Sequence, residues 1–89
     1  MEFEFDPAKS AANKDKHGID FVEAQALWLD GGLEVVLSKS GASDEERFLA
    51  IGRIAGKHWT AICRLRGEAI RIISVRRARK EEVGYYEGY

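Results

Sequence analysis

The sequence predicts an α+β fold: a short N-terminal strand, two helices packed on an antiparallel sheet of about four further strands, and a short C-terminal helix. Three observations carry that expectation. The first third of the chain holds two helix-start signals followed by apolar residues at helical spacing. From Leu33 onward the apolar residues alternate with period two. Glycine-bearing gaps then separate the alternating runs, as hairpins require.

Glu2-Phe3-Glu4-Phe5 alternates and reads as the first strand. Asp6-Pro7 starts a helix, because Asp6 can cap the free amides and Pro7 suits the first helical position. Gly18 supplies a stop, so this helix should run through about Lys16. Asp20 opens a second helix, with Glu23 three residues on as in a capping box. Phe21, Ala24, Leu27 and Trp28 give it a buried side, and Asp30-Gly31-Gly32 ends it. Leu33–Leu37 is a strand, followed by a polar loop from Ser38 to Glu46. Arg47–Ala55, His58–Arg66 and Ala69–Val75 are three more strands, joined at Gly56-Lys57 and Gly67-Glu68. From about Arg76 the chain reads as a short or fraying helix, with Val83 and Tyr86 at helical spacing and Gly84 and Gly88 weakening it.

The totals bound the answer further. At 89 residues one domain spanning residues 1–89 is expected. Hydrophobic residues make up 45% and charged residues 33%, a globular balance rich in charge. No apolar run approaches the roughly eighteen residues that span a membrane, and the acidic start lacks the apolar stretch of a secretory signal. A single cysteine, Cys63, excludes an internal disulfide and suits a reducing cytosol, so a cytoplasmic location is expected. His17, His58 and Cys63 fit no ligand spacing, and no phosphate-binding glycine loop is present. Neither a metal nor another cofactor is expected.

Charge is distributed unevenly. Between Arg47 and Lys80 lie ten basic side chains and one acid, Glu68, although the net charge is −1. Alternation puts Phe48, Ala50, Gly52, Ile54, Trp59, Ala61, Cys63, Leu65, Ile70, Ile72 and Ser74 on one apolar face, directed at the helices. The other face carries Arg47, Arg53, Arg64, Arg66 and Arg71 around Leu49, Ile51, Ile62, Ile73 and Val75. If Gly67-Glu68 is a two-residue turn, Arg64 stands opposite Arg71, which costs up to about a kcal/mol unless an anion or carboxylate lies between them. Arginine forks suit phosphate or carboxylate, so this face is expected to meet a polyanion. The competing reading is a solvated face whose arginines pair with Glu81, Glu82 or the acids of the Ser43–Glu46 loop. Cys63 is a core residue, and His17, at a helix end among polar neighbours, either favours the negative helix end or transfers protons. Tyr86 either packs on the sheet or offers its hydroxyl to a substrate.

Phe5-Asp6-Pro7-x-Lys9 and Asn13-x-x-Lys16-His17-Gly18-Ile19-x-Phe21-x-x-Ala24 resemble the start of BrnT-like toxins. The resemblance continues through Glu46-Arg47-Phe48, Gly52, Arg66, Ile70-Arg71-Ile72-Ile73-Ser74-Val75-Arg76-Arg77-Ala78, Glu82 and Tyr86. It implies a RelE-like fold and a metal-independent endoribonuclease of a type II toxin–antitoxin module. It also implies neutralisation by a BrnA-like antitoxin with a ribbon–helix–helix part, operator DNA being met only through the complex. In such an enzyme the ribose 2′-hydroxyl attacks the neighbouring phosphate. Arg66, Arg71 and Arg76 are then the expected phosphate holders, with Arg76 turning across at the strand end, and His17 is the proton-transfer candidate. Lys16, Arg47, Arg53, Arg64, Arg77 and Tyr86 are the expected RNA contacts. The alternative is a non-catalytic module whose arginine face receives an acidic protein partner. Direct DNA binding lacks a recognition helix.

Overall fold

A computed structural model describes residues 1–38 and 46–89. Most of the polar loop expected at Ser38–Glu46, with Ser43, Asp44 and Glu45, lies outside the described residues. The elements run β1 (Glu2–Glu4), α1 (Pro7–His17), a 3-10 helix (Glu23–Leu29), β2 (Glu34–Ser38), β3 (Arg47–Ile54), β4 (Lys57–Arg66), β5 (Ala69–Arg77) and α2 (Lys80–Glu87). Five strands form one sheet in the order β1-β5-β4-β3-β2. The sheet is mixed rather than antiparallel throughout, because β1 lies parallel to β5 with Glu4 beside Arg71. A parallel neighbour cannot follow through a hairpin, so β1 reaches β5 only after the rest of the chain has crossed over.

The helix signals operate largely as read. Asp6 Oδ1 accepts the Ala8 N–H at 2.8 Å, and the Gly18 N–H closes α1 on the Lys14 carbonyl. Asp20 and Glu23 exchange side-chain-to-backbone bonds at 3.0 and 2.7 Å. The helix from Glu23 to Leu29 is of the 3-10 type, however, and the residues it buries are Ala24 and Leu27, three apart, which a 3-10 turn stacks on one side. The C-terminal helix is also firmer than expected and begins at Lys80. Gly84 is buried where an added Cβ would lie 2.8 Å from the Tyr89 carbonyl oxygen, and Gly88 ends the helix at φ +84°. Both glycines therefore serve this helix end.

In the first hairpin the two connecting residues are Ala55 and Gly56, both at positive φ, so β4 begins at Lys57, one residue earlier than expected. The second hairpin turns at Gly67-Glu68 and sets Arg64 directly across from Arg71.

The face assignment fails beyond Ile72. Cys63 pairs with Ile72 but Ile62 pairs with Ser74, so Ile73 is an extra residue in β5. Such a bulge reverses side-chain parity for the remainder of the strand. Val75, expected among the arginines, is fully buried with Ala61 in the core, and Ser74 joins the other face. Arg76 therefore reaches Arg71's face without a separate turn. The core lies between the sheet and the first two helices, and contains Ile19, Phe21, Ala24, Leu27, Phe48, Ala50, Trp59, Cys63, Ile70 and Ile72. Burial pushes the Cys63 thiol up to about 12, in keeping with an inert packing residue. Among the described residues no helix is long and apolar enough to cross a membrane.

Past Glu4 the edge of β5 has no strand partner among the described residues, and Asn13 of α1 takes that place. Its side chain accepts the Val75 N–H at 3.2 Å and donates to the Val75 and Ile19 carbonyls at 2.9 and 2.8 Å. Asn13→Ala should leave these buried backbone groups unpaired and cost about 2–4 kcal/mol. The check is a lowered urea midpoint with an unchanged m value.

Candidate functional site

The arginine face divides into two ends. Along β4, Arg64 and His58 are six residues apart, roughly 20 Å of strand. Arg47, Arg64, Arg66 and Arg71 occupy one end, beside Glu4 of β1. Arg53, His58, Thr60 and Arg76 occupy the other, beneath α2. Leu49, Ile62 and Ile73 lie between them, half-buried, and Ile51 is fully buried. The aliphatic patch expected to be exposed is therefore largely covered.

At the α2 end the carboxylate of Glu82 is locked. Its Oε1 accepts from Arg76 Nη1 at 2.7 Å, from Thr60 Oγ1 at 3.0 Å and from the Arg79 N–H at 2.8 Å. Its Oε2 accepts from Arg76 Nη2 at 2.8 Å. The side chain of Glu82 is 5% exposed. The Arg76 guanidinium, more than the backbone or Thr60, holds this carboxyl at about 2, against an ordinary 4.5, despite its burial. The same pairing raises Arg76. Arg76 thus anchors α2 to the sheet through Glu82, one of the acids expected as an arginine partner, although the pair is buried rather than solvated.

Asp30 organises the neighbouring corner. It accepts the Arg53 and Gly32 N–H groups and the Tyr86 hydroxyl, each at 2.8 Å. The two backbone donors lower its carboxyl, and the bond to Asp30 raises the Tyr86 hydroxyl. Tyr86 also meets His58 edge-on at 5.2 Å between centroids, and His58 Nε2 lies 3.0 Å from Glu87 Oε2. Arg77 falls on the opposite side of the sheet from Arg76, 5.4 Å over the ring of Trp59, with its Nε donating to the His58 carbonyl.

The β1 end is looser. Register sets Glu4, Arg71 and Arg64 in a row across β1, β5 and β4. Glu4 Oε1 lies 3.3 Å from Arg71 Nη1 and 3.4 Å from Arg66 Nε. Charge-assisted bonds ordinarily close to about 2.7–2.9 Å, so one carboxylate is loosely shared by two cations. The Arg66 side chain is 61% exposed and that of Arg71 29%. Arg47, half-buried on the adjoining strand, has a buried Nε with no hydrogen-bond partner among the described residues.

His17 and Lys16 are at the end of α1. Asn13, one helical turn before His17, bonds the backbone of Val75. The structure brings Arg66 and Arg71 together on Glu4 and places Arg76 at the other end with Glu82. Sequence reasoning missed Glu4, because the parallel pairing that puts it beside Arg71 leaves no local signal. Glu4 does have the strand parity of a surface residue, which was the one available hint.

Fold and face together define a small α+β protein with an arginine-rich sheet face. Its sequence matches, over residues 5–82, the family described as "Ribonuclease toxin, BrnT, of type II toxin-antitoxin system". The match covers most of the chain, and the protein belongs to that family. Membership makes it a ribonuclease toxin with an RNA substrate and an antitoxin partner. No curated protein matches the chain closely.

Glu82 gives a pH prediction. Its folded value lies below the unfolded one, so its contribution is fully present above pH 4.5 and is lost as pH falls through about 2. Glu82→Gln should lower stability by about 3 kcal/mol at neutral pH. Denaturation series of both proteins from neutral to acid pH should show that deficit shrinking below pH 4.5.

Proposed function

We propose that this chain is a RelE-like, metal-independent endoribonuclease toxin whose phosphate site is the β1 end of the arginine face. The observation that carries the reading is the pair Arg66, exposed, and Arg71, half-buried, loosely held by one carboxylate in a member of a ribonuclease toxin family. The ribose 2′-hydroxyl attacks the adjacent phosphorus and the 5′-oxygen departs. Charge accumulates on the phosphate oxygens, where preorganised guanidinium donors act most strongly. Arg66 and Arg71 hold those oxygens. Arg64 and Arg47 extend the cationic track along the RNA backbone.

Arg76 supports the site indirectly through α2, since both of its terminal nitrogens are engaged by Glu82. Arg53 and Tyr86 extend the RNA contacts toward the α2 end of the same face, whereas Arg77, on the other side of the sheet, and Lys16, at the end of α1, meet only a strand that rounds the sheet edge, and His17 serves proton transfer only for a substrate that reaches the end of α1. A BrnA-like antitoxin with a ribbon–helix–helix part neutralises the toxin, and the complex contacts operator DNA through that part.

Arg71→Ala should keep the fold and reduce RNA cleavage by a factor on the order of 10²–10³, as loss of one positioned donor does. Growth arrest on induction and a cleavage assay on purified protein measure this. Full activity in a folded variant would remove Arg71 from the site. Binding of an uncleavable RNA should weaken steeply with added salt, because each neutralised phosphate releases counterions.

A further inference from the structure

The geometry points to Glu4 as the group that takes the proton from the attacking 2′-hydroxyl. This assignment rests on the reading of the β1 end as the phosphate site. The two carboxylate–arginine contacts on this face differ in kind. Glu82 is 5% exposed and accepts four short hydrogen bonds, leaving it no room for a further partner. Glu4 is 36% exposed, and its two arginine contacts are long, 3.3 and 3.4 Å, and made through one oxygen, Oε1. Short contacts on both oxygens would mark a structural clamp; long contacts on one oxygen leave lone pairs for a proton.

Position argues the same way. Glu4 stands in the row with Arg71 and Arg64, so a phosphate bound by Arg66 and Arg71 arrives within reach of it. The guanidinium groups then turn from Glu4 to the phosphate oxygens, and the carboxylate loses its cationic neighbours as a negative group arrives. Its oxygens are then open to accept the 2′ proton.

The step balances. The 2′-oxygen forms a bond to phosphorus as its proton passes to Glu4, the bond from phosphorus to the 5′-oxygen breaks, and that oxygen takes a proton from water. The products are a 2′,3′-cyclic phosphate and a 5′-hydroxyl, and Glu4 returns its proton to solvent.

The test compares wild type, Glu4→Gln and Glu4→Asp on a mixed-sequence RNA, and measures binding of the same strand with 2′-deoxyribose throughout. Glu4→Gln should lose cleavage by about 10²–10⁴-fold, the usual scale of a positioned base. It should bind the uncleavable strand at least as tightly as wild type, because Arg66 and Arg71 lose a competing acid. Glu4→Asp should recover part of the rate. Cleavage by Glu4→Gln at the wild-type rate would overturn the assignment while leaving the phosphate site standing. Loss of binding in parallel with cleavage would reduce Glu4 to a residue that positions the arginines. Wild type that leaves RNA intact would overturn the underlying reading as well.

Discussion

One extra residue in β5 governs how this small sheet presents its charges. Ile73 has no counterpart on β4, and side-chain parity reverses at that point. Upstream, Arg71 faces out beside Glu4; downstream, Val75 enters the core and Arg76 emerges over Thr60. Without the bulge, Val75 would be stranded among cations and Arg76 would be driven into the apolar layer. Asn13 secures the bulged segment by bonding both backbone groups of Val75 from α1. Helix, strand register and the direction of two arginines are thereby one coupled constraint.

That constraint sorts the guanidinium groups into two roles. Arg76 is drawn under α2, where a buried carboxylate and a threonine hydroxyl satisfy it in low dielectric. Such a pair is expensive to break but does little for an external anion. Arg66 and Arg71 remain at the open end, where the partner is one half-exposed carboxylate at long range. Exposed pairs of that kind are worth about a kcal/mol or less, so an RNA phosphate can displace them at small cost. The same arginine-rich run therefore yields a buried helix anchor and, at the other end, a loosely held pair proposed to bind phosphate, distinguished by burial rather than by residue type.

Much of the fold was legible in the sequence. Capping signals at Asp6 and Asp20, period-two runs after Leu33 and the Gly67-Glu68 turn each found their counterpart, including the Arg64–Arg71 juxtaposition. The bulge was not legible, because Ile72-Ile73-Ser74-Val75 alternates acceptably in either parity. Nor was the parallel β1–β5 pairing, which joins residues 67 positions apart with no local trace. The candidate site suffered from both gaps. Arg66, Arg71 and Arg76 are expected together from charge, strand pattern and the family resemblance, but they do not stand together, because the carboxylate partner of Arg76 is only six residues on. Glu4 escaped notice because its role depends wholly on that long-range neighbour.

The most direct measurement is a crystal structure of the protein with a short RNA strand blocked by 2′-deoxyribose at the cleavage position. The account places a backbone phosphate between Arg66 and Arg71, with the 2′ carbon of the blocked sugar against Glu4 and the Arg76–Glu82 pair undisturbed. A phosphate seated instead beside His17 and Arg77, or one that pulls Arg76 away from Glu82, would contradict it.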